Sequence, residues 1–243
     1  MHIISERILD DGIRQQHVTL NGVPGIVWRP PVDSAPTPLI RHGQPGGLDR
    51  MLPRLMERVR RCAAHGLASA TLELPGSGER PPLPDLERAR SDLRQAMAAG
   101  RPVDEDVIDR LVLPLVDRAV PECRAALDDL LALPEFHGPV GYSGGNLSVG
   151  VRLAAVEPRI GAVGLFAGSL IPRAIVEDAR RVVVPVHLLL QWDDRGNDRQ
   201  AALDLFDALG SSEKTLSANM GGHMGVPAFA GEEEVRFLAR HLR

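Results

Sequence analysis

Aromatic side chains are scarce in this 243-residue chain, where phenylalanine, tryptophan and tyrosine together make up 3%. That argues against a stacking platform for bases or flat cofactors. Lysine is almost missing too, since Lys214 is the only one, and the net charge is a mild −4. With no basic stripe, neither nucleic acid nor an anionic membrane is expected as a partner. No apolar run reaches the roughly 18 residues of a membrane span. Residues 1–7 lack a basic region followed by an apolar stretch, so nothing there reads as a signal peptide. Cysteine is limited to Cys62 and Cys123, whose spacing matches no metal motif, and free buried thiols are expected. The sequence has no H-E-x-x-H, no Cys/His cluster, no P-loop and no dinucleotide fingerprint, so no metal and no cofactor is expected. These absences together point to a cytoplasmic protein.

What is present is 44% apolar and 25% charged, enough for one compact domain over 1–243 with a full core. Residues 18–28 read as a hairpin turning at Asn21-Gly22, and residues 3–9 as a further edge strand. Strands follow at about 38–41, 67–74, 138–142, 160–167, 184–191 and 214–218. Helical spacing runs over about 48–65, 145–156, 198–209 and 232–242. Residues 79–113 break this rhythm. A Pro-rich opening (Pro81, Pro82, Pro84) leads into a polar helix over about 85–99 and a turn at Gly100-Arg101-Pro102. Residues 104–133 then read as helix, with Pro114 and Pro121 expected to kink or restart it. Strands alternating with helices imply a mostly parallel sheet with helices on both faces. In such sheets, functional groups gather in loops at the carboxyl ends of the strands.

Four features stand in such loops. Gly141-Tyr142-Ser143-Gly144-Gly145 follows a short apolar run and has the form of a G-x-S-x-G nucleophile elbow, with small residues flanking an exposed serine. His42-Gly43-Gln44-Pro45-Gly46-Gly47 follows an early strand and is a candidate oxyanion turn. The backbone N–H groups of Gln44 and Gly144 would be its two donors, and His42 would brace it. Trp192-Asp193-Asp194 follows another strand and offers a carboxylate to orient a histidine. Asp194 is preferred, Asp193 is expected to bond loop amides or face solvent, and Glu177 or Asp178 is a weaker substitute. Met220-Gly221-Gly222-His223 follows the last strand. Taken singly, each feature is weak, because Gly/Pro clusters are commonly plain turns, an Asp often caps a helix, and a lone His is usually a surface residue. Together they give the order Ser143, Asp194, His223, each after its own strand, which is the chain order of α/β-hydrolases.

On these residues, together with Leu74-Pro75-Gly76-Ser77-Gly78-Glu79-Arg80, the chain resembles the α/β-hydrolase superfamily over essentially its whole length, within its dienelactone-hydrolase-like and small bacterial serine esterase branch. The resemblance implies an eight-stranded, mostly parallel sheet, with Ser143 as nucleophile, Asp194 as acid and His223 as base. The expected function is hydrolysis of a carboxylic ester, or a related acyl bond, of a small molecule through an acyl-enzyme. On the same triad an acyltransferase, lactonase, thioesterase or cyclase of specialised metabolism is the alternative, as is a ligand-binding protein that retains the fold. Residues 79–113 are a candidate lid, with Leu86, Leu93 and Met97 offering an apolar acyl pocket.

Overall fold

The structure, a computed structural model, describes residues 1–31, 36–168 and 170–243. β1 (His2–Ile8), β2 (Arg14–Leu20) and β3 (Val23–Arg29) form an antiparallel meander. Its second turn is the expected one: Asn21 and Gly22 both have positive φ, 46° and 81°, as a two-residue turn matching the twist of the flanking strands requires. The chain continues as β4 (Thr37–Gly43), α1 (Leu48–Ala64), β5 (Ala68–Leu72), α2 (Pro84–Ala98), α3 (Glu105–Leu131), β6 (Phe136–Gly144) and α4 (Leu147–Val156). It ends with β7 (Ile160–Phe166), α5 (Arg173–Ala179), β8 (Val186–Gln191), α6 (Arg199–Ala208), β9 (Lys214–Asn219) and α7 (Ala228–His241).

One sheet holds all nine strands in the order β1-β2-β3-β5-β4-β6-β7-β8-β9, parallel from β5 onward. The eight strands implied by the resemblance are therefore exceeded by one, and the edge strand expected near residues 3–9 accounts for it as β1. α1 and α7 cover one face of the sheet, and α3, α4, α5 and α6 cover the other. β4, β6, β7 and β8 are central, and their residues are nearly all buried, as strands covered on both faces must be.

Of the two expected outcomes at the prolines of the helical insertion, a restart does not occur. α3 runs unbroken through Pro114 and Pro121. A proline inside a helix costs about 3 kcal/mol. Burial of Val107, Val116, Val120, Leu127 and Leu130, at about 1.5–3 kcal/mol for each large apolar side chain, outweighs that cost. α2 lies against α3, and Leu86 is its buried anchor, whereas Met97 is exposed.

Candidate active site

β8 ends at Gln191, and the loop after it opens with Trp192-Asp193-Asp194. Oδ2 of Asp194 lies 2.7 Å from Nδ1 of His223. The Asp194 side chain is 6% exposed, against 57% for His223, so a sheltered carboxylate holds a ring that faces open space. Burial pushes the Asp194 carboxyl up, but hydrogen bonds from His223, the Gly196 amide and Asn197 outweigh it and hold it below the usual carboxylate range. Asp193 turns the other way. Its Oδ1 accepts from the amides of Gly221 (2.9 Å) and Gly222 (2.8 Å), pinning the loop that presents His223. The side chain of Gln191 donates to the Gly222 carbonyl (2.7 Å) and pins the same loop from below. The Phe166 and His223 rings pack nearly perpendicular to each other at a centroid distance of 5.3 Å. Nε2 of His223 makes no hydrogen bond among the described residues.

His223 stands at a cavity of about 400 Å³ above the carboxyl ends of the strands. Leu74, Leu86, Leu111, Val112, Leu115 and Ile171 give it apolar walls, several of them from α2 and α3. Of the three apolar residues expected from the insertion, Leu86 lines the cavity, and Leu93 and Met97 do not. Asp178, the substitute acid, is bound to Arg152 and Arg181 instead.

Ser143 is not in this cavity, which corrects the expectation of an exposed serine hydroxyl. The β6 ladder extends through Gly144, with Ser143 paired to His42 on one side and Gly164 on the other. Successive side chains of a strand face opposite ways. The Tyr142 hydroxyl accordingly reaches the α4 side, donating to the carbonyls of Gly145 and Asn146, and Ser143 turns toward α1 and α7. There its Oγ accepts from Arg58 Nη2 (2.8 Å) and donates to Glu234 Oε1 (2.8 Å), at 3% exposure. Gly144, expected to give an oxyanion amide, is likewise inside the ladder, paired with Gly43 and Leu165.

The bend between strand and helix comes three positions later. Asn146 has φ 62° and ψ 58° and caps α4, yet its side chain makes no capping hydrogen bond. It is one of two non-glycine residues with positive φ among those described, the other being Asn21 in its hairpin turn. Asn is among the few side chains that enter this region readily. Asn146 lines the cavity together with His223. The next two amides, of Leu147 and Ser148, open α4, and a helix supplies no acceptor for its first amides. The small-residue frame of the elbow is thus Gly144-Gly145-Asn146-Leu147-Ser148, overlapping the Gly141–Gly145 frame. A run with three glycines within five residues fits both frames, and the ladder that extends through Gly144, with the left-handed backbone at Asn146, tells them apart.

The turn expected to hold an oxyanion begins within β4, whose last two residues are His42 and Gly43. His42 is fully buried, with Nε2 2.9 Å from Ser69 Oγ of β5. Burial, then the Arg58 and Arg41 charges, pushes its pKa well down, and the ring is neutral. Gln44 is 1% exposed, its side chain tied to the Leu72 carbonyl and the Thr71 hydroxyl. Of this turn it is Pro45 and Gly46 that line the cavity. The turn and the elbow approach closely: a Cβ on Gly43 would lie 2.0 Å from the Gly145 carbonyl oxygen. Sequence reasoning missed Asn146, Arg58, Glu234 and Asn197. The one signal for Asn146 was the second elbow frame.

The strand order, the crossing helices, and a His–Asp pair on loops after the last two parallel strands settle the architecture. The fold is that of the α/β-hydrolases. A cold-adapted esterase from an Arctic intertidal metagenomic library is similar at 23% identity and a TM-score of 0.76, covering 100% of both chains. A dienelactone hydrolase from Anabaena variabilis is similar at 19% identity and 0.61, covering 98% of this chain and 99% of its own. An acetyl xylan esterase from Paenibacillus sp. R4 is similar at 13% and 0.63, covering 100% of this chain and 90% of its own. Searches of protein-family models and of curated proteins return no match. Among the described residues no helix is long and apolar enough to cross a membrane, and no cluster of metal-ligating side chains occurs.

Proposed function

We propose that this α/β-hydrolase-fold chain hydrolyses a carboxylic ester, or a related acyl bond, of a small molecule with an apolar acyl part. The observation that carries this reading is the His223–Asp194 pair, with Nδ1 engaged and Nε2 without a hydrogen bond among the described residues, at an apolar cavity beside the start of α4. A carboxylate on Nδ1 fixes the tautomer that leaves Nε2 able to take a proton, and it stabilises the imidazolium that results. Carbonyl addition places negative charge on oxygen. The amides of Leu147 and Ser148, which open α4 and have no acceptor within the helix, are the donors suited to it, in place of Gly144. The names of the similar structures, esterases and a dienelactone hydrolase, are in keeping with this chemistry. The 400 Å³ volume fits a compact substrate.

The test is turnover of p-nitrophenyl esters from acetate to octanoate, with thioesters and lactones alongside, for the wild-type protein and His223→Ala. Hydrolysis that His223→Ala lowers by about 10²–10⁴ supports the reading. Hydrolysis that survives in His223→Ala overturns it.

A second reading has its own observation. An asparagine at the elbow supplies no oxygen nucleophile, which suits a binding protein that retains the fold. Saturable ligand binding in calorimetry, with no turnover in any series, would support it.

A further inference from the structure

The cavity holds a general base, but no serine stands at the bend that faces it. Ser143 is spent on Arg58 and Glu234 beneath the sheet. Ser148 borders the cavity from inside the first turn of α4, at 5% exposure and in helical backbone. The place where an elbow thrusts its side chain above the sheet is occupied by Asn146. Its carboxamide makes no hydrogen bond among the described residues. A buried or half-buried carboxamide carries two donors and an acceptor, and leaving them unused costs free energy unless water or substrate uses them.

We infer that the reaction proceeds without an acyl-enzyme, with water as the nucleophile, held by the Asn146 carboxamide and deprotonated by His223. This rests on the hydrolase reading above and deepens it. The Asn146 oxygen accepts one proton of the water in a hydrogen bond. Nε2 of His223 removes the other as the water oxygen bonds to the acyl carbon. The carbonyl π pair moves onto oxygen, where the amides opening α4 receive it. The pair returns as the carbon–oxygen bond to the leaving alcohol breaks, and the imidazolium gives its proton to that alkoxide. The products are acid and alcohol, no electrons are exchanged, and His223 ends neutral. Asn146 touches the reacting water and is a catalytic residue in this scheme. Asp194 acts through His223 and is a positioning residue.

The experiment uses the full chain in three forms: wild type, Asn146→Ser and Asn146→Ser/His223→Ala. Each is treated with a fluorophosphonate and, separately, quenched during turnover of p-nitrophenyl butyrate, then weighed intact and mapped by peptide mass. The wild type is expected to turn over with no burst, no phosphonyl adduct and no butyryl adduct. Asn146→Ser is expected to gain an adduct at position 146, formed about 10²–10⁴ times more slowly in the double variant. Circular dichroism confirms that each form is folded. If Asn146→Ser does not fold, the wild-type adduct measurement still decides. A wild-type adduct on Ser148, Ser143 or any other residue, together with turnover, overturns the inference and leaves the hydrolase reading intact. A folded Asn146→Ser that resists labelling overturns the placement of position 146 opposite His223. No turnover by the wild type in any substrate series, with position 146 labelled in Asn146→Ser, overturns the hydrolase reading itself and favours the binding protein.

Discussion

Asp193 and Asp194 are neighbours in sequence and grip one loop at two places, Asp193 on the amides of Gly221 and Gly222 and Asp194 on the ring of His223. Asp194→Asn is expected to leave the fold intact and to misorient His223, lowering turnover by up to about 10⁴. Asp193→Asn retains one oxygen acceptor for the loop amides and is expected to cost far less. Steady-state kinetics on both variants, with circular dichroism as a folding control, check this. The reverse ranking would reassign the acid to Asp193.

Turnover is expected to fall on the acid side, because the base must be unprotonated to accept a proton. Hydrogen bonds hold the Asp194 carboxyl below its ordinary value, so it stays ionised throughout that limb. A rate profile from pH 5 to 8, with folding followed by circular dichroism, measures this. A flat rate would identify a different base.

Ser143→Ala is expected to reduce stability and to retain ester turnover. Its hydroxyl bridges Arg58 and Glu234, and hydrogen bonds to charged groups are worth about 1.5–3 kcal/mol. In a domain of this size each kcal/mol shifts Tm by about 2–4 °C. Loss of turnover at unchanged Tm would return Ser143 to the chemistry.

Stability is expected to fall as pH drops below about 6.5. Folded His42 is held neutral by burial and by the Arg58 and Arg41 charges, and burial lowers the pKa of His187 as well. The unfolded chain binds a proton at each ring below that pH, so acid favours unfolding. Urea midpoints between pH 7.5 and 5 should slope less steeply for His42→Gln than for the wild type. An unchanged slope would show His42 protonated in the folded state.

Gly43→Ala is expected to destabilise the fold by about 3 kcal/mol. The added methyl would sit 2.0 Å from the Gly145 carbonyl oxygen and 2.1 Å from the Tyr142 hydroxyl, and neither can withdraw without separating the turn from the elbow. Chemical denaturation of the variant gives the value directly. A loss below about 0.5 kcal/mol, the range of neutral surface changes, would mean that the two loops are free to part.

Much of this protein was legible in its sequence because the signals are local. Alternating apolar runs and helical spacing give the strands and helices, and Asn21-Gly22 gives its turn, since each depends on residues within a few positions. The Asp194–His223 pairing was legible as well, because a carboxylate and a histidine placed after the last two parallel strands are carried to the same edge of the sheet. Which residue crowns β6 was not. Gly141–Gly145 and Gly144–Ser148 are both acceptable elbows by composition. The choice is made by how far β4 and β7 pair with β6, a non-local ladder that encloses Ser143 and releases the chain at Asn146. The face to which Ser143 turns was equally hidden, because Arg58 and Glu234 come from α1 and α7, far away along the chain. Pro114 and Pro121 sit inside an unbroken α3 for a related reason, since burial against the sheet outweighs a local backbone preference. The sequence by itself determined the elements, their order and the His–Asp pair, whereas strand pairing and helix packing decided which side chain meets that pair in the cavity.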